Sequence, residues 1–227
     1  HFITYKQPVR LSLLNPNIYF HEVNVPNYPL FHYQPYELAL SSKLVDMVKL
    51  YKIDVLHVHY AIPHAYAGYM AKKMLAEEGI SLPMITTLHG TDITLVGNHP
   101  FYKSAVTFSI NKSDFVTSVS NSLREATYRL FDINKEIHVI PNFIEIEETF
   151  LENKSICQRS VLAASNEKIV THISNFRKVK NIPDVVKVFF NIQKEIPSKL
   201  MMVGEGPEKI IAEKLCEDLG ISDKVIF

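Results

Sequence analysis

Arg177, Lys178 and Lys180 place three positive charges within four residues, straight after the β-rich run Lys168 to Ser174 and ahead of a helical pattern from Pro183. In an α/β protein, side chains just beyond the carboxyl end of a parallel strand line the ligand crevice. Guanidinium and ammonium groups there suit a phosphate or diphosphate better than a neutral ligand. A solvated basic turn is the alternative reading.

Three other stretches carry residue types able to do chemistry. In His57-Val58-His59-Tyr60-Ala61-Ile62-Pro63-His64, strand alternation puts His57 and His59 on one face. Three histidines invite a metal, yet this spacing matches no zinc pattern and no carboxylate is interleaved, so no metal site is expected. Core-packed histidines satisfied by backbone, or a crevice face built around Tyr60, are the two readings that remain. In Thr86-Thr87-Leu88-His89-Gly90-Thr91-Asp92-Ile93-Thr94, Gly90 permits a tight turn beside His89. The hydroxyls, the imidazole and Asp92 can together hydrogen-bond a polyhydroxylated ligand or a carboxylate; Thr91 or Asp92 can equally cap a following helix. No Gly-x-Ser-x-Gly elbow supports a serine hydrolase. Val203-Gly204-Glu205-Gly206-Pro207 joins a strand to a helix, where helix-start amides can face an anion. It lacks the third glycine of a dinucleotide fingerprint, and Pro207 reads equally well as a first helical residue. No Walker-type Gly-Lys-Ser/Thr occurs.

These residues need strands and helices to position them, and the pattern supplies both. Strands are expected at 18–25, 54–59, 84–88, 115–119 and 137–140. Helices are expected at 35–51, from about 63, at 101–111, and after a cap at Ser120 or Asn121. The first helix carries Leu38, Leu40, Leu44, Val45 and Val48 at helical spacing, the second Ala65, Tyr69, Met70 and Leu75. Residues 145–168 turn polar, with a short helical stretch near 155–163, and read as a linker. Strand, helix, strand and helix then follow at 169–173, 183–195, 199–203 and 207–219. Alternation of this kind predicts parallel sheets covered by helices.

With 227 residues, the chain has room for one large domain or two small ones. Lys plus Arg equals Asp plus Glu at 24 each, which argues against a nucleic-acid or acidic-membrane surface. No apolar run is long enough for a transmembrane helix, and no signal-peptide pattern is visible. Cys157 and Cys216 lie in separate segments and read as reduced cysteines of a cytosolic protein. The chain opens at His1-Phe2-Ile3-Thr4 inside a strand-like run and stops at Lys224-Val225-Ile226-Phe227, so it reads as a piece of a longer protein.

Taken together, His57-Val58-His59-Tyr60, Leu88-His89-Gly90-Thr91-Asp92, Pro141-Asn142-Phe143-Ile144, Ser174 to Asn181 and Val203 to Pro207 resemble family-4 retaining glycosyltransferases of the GT-B fold, in order and spacing across essentially the whole chain. The resemblance implies an α/β protein with two Rossmann-like, doubly wound parallel-sheet domains facing a cleft, both incomplete here. Residues 1–145 would be the acceptor-binding domain without its first strand and Gly-rich loop. Residues 146–227 would be the linker and first part of the nucleotide-sugar domain.

The details Tyr60 to His64, His89 to Thr94 and His172 to Arg177 look closest to a member that moves N-acetylglucosamine from UDP-N-acetylglucosamine to L-malate, the first step of bacillithiol biosynthesis. Ser174-Asn175 stands where the broad family has Gly-Arg, a variation typical of that member. By that resemblance, His89, Arg177 and Lys180 are catalytic: His89 toward the donor sugar, the two cations toward the leaving diphosphate. Tyr60, Thr87, Asp92, Asn175 and Arg177 bind substrate, while Lys180, Gly204 and Gly206 meet the donor. No metal or other cofactor is implied. The partners are the two small substrates, with neither nucleic acid nor membrane; a homo-oligomer is left open, and the expected compartment is the cytoplasm. A related transferase with another acceptor, or an inactive binding fragment, is the alternative. The family's glycine loop and a later pair of glutamates have no counterpart in these residues, so little turnover is expected from them alone.

Overall fold

The structure is a computed structural model that describes residues 1–8, 11, 16–25, 27, 33–143 and 159–227. The chain divides into two compact units, His1–Ile144 and Glu145–Phe227. Ile144, Cys157 and the linker up to residue 158 lie outside the described residues.

Unit 1 opens with short strands β1 (Phe2–Thr4) and β2 (Phe20–Glu22), paired in parallel. Helix α1 (Tyr36–Tyr51) leads to a four-stranded parallel sheet in the order β3 (Leu56–His59), β4 (Met84–Leu88), β5 (Phe115–Ser118), β6 (Ile137–Val139). Helices α2 (Tyr66–Glu77), α3 (Pro100–Lys112) and α4 (Asn121–Leu130) make the crossovers. Ser120 caps α4 by accepting the Leu123 N–H at 3.1 Å, and Pro100 opens α3, where its missing N–H costs nothing.

One apolar cluster joins α1 (Leu40, Leu44, Val48), α2 (Ala67, Ala71, Leu75) and the β3–β4 strands (Leu56, Val58, Met84). A second joins Leu88, Ile93, Val106, Ile110, Val116 and Ile137 under the other strands. Leu38, expected on the apolar side of α1, instead faces outward at 65% exposure, because the buried stripe runs through Leu40, Leu44, Met47 and Val48. Met70 of α2 likewise faces away from its core, which is formed by smaller residues (Ala67, Gly68, Ala71) that let α2 lie close to the sheet. At Gly68 even a methyl group would meet the Met84 sulfur at 2.8 Å.

Unit 2 contains a short helix α5 (Arg159–Leu162) and a parallel sheet in the order β7 (Lys168–Ile173), β8 (Ser198–Val203), β9 (Val225–Ile226). Helices α6 (Ile182–Glu195) and α7 (Lys209–Asp218) cover it through Ile182, Val186, Phe189, Ala212 and Cys216. Burial, with Glu213 and Glu217 nearby, pushes the Cys216 thiol up from its ordinary pKa. Helix α7 begins two residues after Pro207, so that proline belongs to the turn and not to the helix.

Candidate active site

The strand ends of unit 1 gather four of the expected residues. On β3, Leu56 and Val58 point into the core while His57 and His59 share the outer face, as alternation requires. They are not core-packed: their ring centroids stack at 4.7 Å, and each bonds a neighbouring strand or loop by side chain. The His57 Nε2 lies 2.8 Å from the Thr87 hydroxyl, which lies 2.7 Å from the Thr117 hydroxyl. That chain crosses β3, β4 and β5: the register sets Thr87 beside Thr117, and His57, paired with Ile85 across the strands, reaches diagonally to Thr87. One residue past the end of β4, the His89 Nε2 meets the His59 Nδ1 at 2.8 Å.

Asp92 is 3% exposed, and its carboxylate accepts three backbone amides: Ala61 N–H at 2.8 Å, Gly90 N–H at 2.9 Å and His89 N–H at 3.2 Å. It therefore staples the loop after β3 to the loop after β4 instead of capping the following turn. Gly90 adopts φ 116°, a conformation that disfavours any side chain. Tyr60 also sits at positive φ, 77° with ψ 134°, which for a non-glycine residue stores about 1–3 kcal/mol. Its own N–H donates to the Thr87 carbonyl at 2.9 Å, and the Ala61–Asp92 bond holds the next peptide. The outcome is a phenol ring whose centroid lies 4.9 Å from that of His89.

Burial lowers the pKa of His59 to about 4, helped by the nearby His57, His89 and His64 rings. Burial also lowers His89, with Asp92 pulling the other way. Both imidazoles are accordingly neutral near pH 7. Among the described residues no group of three His, Cys, Asp or Glu side chains is placed to hold a metal ion.

Beside this network lies a cavity of about 660 Å³, lined by Tyr60, Tyr66, Tyr102, Leu38, Thr91 and Asp92 among others, with no lysine or arginine among the described residues of its wall. Leu38 turns outward onto this cavity. Tyr66 and Tyr102 escaped the sequence reading; their only signal was aromatic residues at helix starts next to the Tyr60 and His89 loops.

In unit 2 the loop after β7 is held chiefly through its backbone. Phe176 is 0% exposed, sunk between Arg177 and the Ser174-Asn175 pair. Its N–H donates to the Glu205 carbonyl, and its own carbonyl accepts the Glu208 N–H, each at 2.9 Å. Gly204 and Gly206 adopt φ 142° and 155°, and they face this same loop. A methyl group on Gly204 would sit 1.8 Å from the Ser174 carbonyl oxygen, and one on Gly206 would sit 2.4 Å from that of Phe176. The close backbone approach that these glycines permit is thus to protein.

A short 3-10 turn, Lys178–Lys180, follows and ends at Asn181, whose left-handed φ of 50° starts α6. The Asn181 amide donates to Asp184 at 2.6 Å, which with Lys187 holds that carboxyl below its usual pKa. The side chains of Asn175, Arg177, Lys178 and Lys180 are exposed and take no hydrogen-bond or ion-pair partner among the described residues. Lys180 lines a cavity of about 350 Å³ beside β7 and α6.

Residues 1–148 match the family described as Glycosyltransferase Family 4, and residues 154–227 match Glycosyl transferases group 1. The chain belongs to glycosyltransferase family 4. This family-4 chain is 45% identical over 227 residues to the N-acetyl-alpha-D-glucosaminyl L-malate synthase of Bacillus anthracis, covering 100% of itself and 59% of that relative. Among solved structures, Anabaena HepE in complex with UDP and glucose superposes with a TM-score of 0.63 at 16% identity, over 92% of this chain and 55% of that one. Staphylococcus aureus TarM, solved with UDP and α-GlcNAc-glycerol, gives 0.55 at 18% identity, over 86% and 36%. These likenesses carry the fold, which is the GT-B class with parallel sheets that the motifs imply.

Proposed function

We propose that the protein to which this chain belongs is a retaining transferase that moves N-acetylglucosamine from UDP-N-acetylglucosamine to the hydroxyl of L-malate, in the cytoplasm and without a metal. The observation that carries this reading is the 45% identity across both units to the Bacillus anthracis malate enzyme. The geometry supports it in kind. Arg177 and Lys180 carry charge with no partner among the described residues, as neutralising a departing diphosphate requires, and each would contribute ~2–4 kcal/mol to the transition state. His89, neutral because its pKa is lowered, can hydrogen-bond a sugar hydroxyl without setting a second positive charge beside an oxocarbenium-like centre. Within unit 2, Asn175 offers a carboxylate a neutral donor and Arg177 a charged one; within unit 1, the Tyr60 phenol is a further neutral donor.

The test is UDP release from UDP-N-acetylglucosamine by the full-length protein, with and without L-malate. Release that rises steeply with malate is the expected result. Release indifferent to malate but stimulated by a larger acceptor would overturn it. One observation favours that second reading, a related transferase with a less charged acceptor: the cavity beside Tyr60 has aromatic walls and no cation among the described residues.

A further inference from the structure

We propose that His59 is a positioning residue for His89: their ring-to-ring hydrogen bond fixes the orientation of the His89 imidazole and dictates which protonation form it shows to a ligand. The inference rests on the transferase reading for its consequence in catalysis, but the bond itself is a property of unit 1 alone.

The argument begins with proton counting. The His59 Nδ1 and the His89 Nε2 are 2.8 Å apart, so one must carry a proton and the other a lone pair. With both rings neutral, two arrangements satisfy this. If His59 donates, His89 accepts at Nε2 and presents an N–H at Nδ1. If His89 donates, it presents a lone pair at Nδ1. Either way Nδ1 is the one ring nitrogen of His89 left for a ligand, and its polarity is set by His59. Burial lowers the pKa of both rings and so disfavours a third state, with an extra proton.

His59 is itself held on several sides, as a residue that orients another must be. Its ring stacks on His57, which is tied to Thr87 on β4. Its carbonyl accepts from the His64 Nδ1 at 2.7 Å. His89 is fixed from the other side by its N–H bond to Asp92 and by the Tyr60 ring. The titratable groups that face the pair are therefore His57, His64, Tyr60 and Asp92. A histidine oriented by a second side chain is a common way to fix a tautomer.

Nitrogen-15 NMR of histidine-labelled protein tests this directly. The wild type should show a through-hydrogen-bond nitrogen–nitrogen coupling between the two rings and a single His89 tautomer at pH 7. His59→Phe keeps the stack on His57 but removes the nitrogen, and His89 should then show the averaged shifts of a free imidazole. His59→Asn, whose amide falls near the position of Nδ1, should restore one form. In the full-length enzyme the Phe variant should lose roughly tenfold in kcat with little change in donor KM, and Asn should recover most of it, in line with losing an outer partner of a functional histidine. Absence of the coupling in wild type, or identical His89 shifts in all three proteins, overturns the proposal. If the Phe variant does not fold, the wild-type coupling alone still decides. A tautomer change without any UDP release from the wild type would uphold the His59 role and remove the transferase reading.

Discussion

Unit 1 and unit 2 prepare a site by opposite means. At the strand ends of unit 1, side chains hold side chains: Thr117, Thr87 and His57 form one chain, and His59 and His89 a pair. Asp92 spends its carboxylate on three amides so that two loops stay together. In unit 2 the loop backbone is fixed by glycines against carbonyls, and the side chains of Arg177, Lys178 and Lys180 take no partner among the described residues. A wired network suits a neutral ligand that must be oriented. Bare cations on a rigid loop suit an anion whose charge grows during reaction, because preorganised charge needs no rearrangement when it is called on.

The sharpest way to break this contrast is at the glycines. Gly204→Ala drives a methyl group into the Ser174 carbonyl and should destabilise unit 2 by ~3 kcal/mol or more, read by chemical denaturation. Gly90→Ala, with open space around it and only its φ of 116° to strain, should cost ~1–2 kcal/mol. Equal costs would show that loop packing is not what separates the units. Lys180→Ala should leave the unfolding midpoint unchanged and lower kcat roughly 100-fold in the full-length enzyme. A stability loss would mean that the lysine is structural.

A smaller effect concerns pH. His59 titrates near 4 in the folded chain against an ordinary 6.5, so the unfolded state takes up more protons between those values. Stability should be fully present above pH 6.5 and decline as pH falls toward 4, by on the order of 1 kcal/mol once the ring's partial exposure is discounted. His59→Phe should flatten that part of a melting-temperature profile, and an unchanged slope would place the acid sensitivity elsewhere. The smallest expected effect is none: chelation by EDTA should leave UDP release intact, since side-chain cations are the proposed counter-charge.

Much of this architecture was readable in the residues. The strand Met84–Leu88 and the helix from Tyr36 to Tyr51 fall where periodicity puts them, because apolar spacing reports burial directly. Other features depend on register and packing, which spacing does not encode. Nothing in the sequence says that Thr117 pairs with Thr87, that Asp92 reaches back to Ala61, or that Tyr60 takes a left-handed φ. Nor does the sequence say that Gly204 and Gly206 lie against the Ser174 and Phe176 carbonyls. Leu38 shows the limit of counting apolar residues, since it belongs to the helical run yet faces a cavity.

Phe176 links the charged loop to the interior, because a fully sunken ring sits directly beside Arg177. An anion that binds that loop only in the folded state raises the resistance of unit 2 to unfolding, and a core defect beneath the ring lowers apparent affinity once it leaves a sizeable fraction of the unit unfolded. Substitutions at Phe189 or Met202 severe enough to reach that point would then show a packing fault in the guise of loosened anion binding.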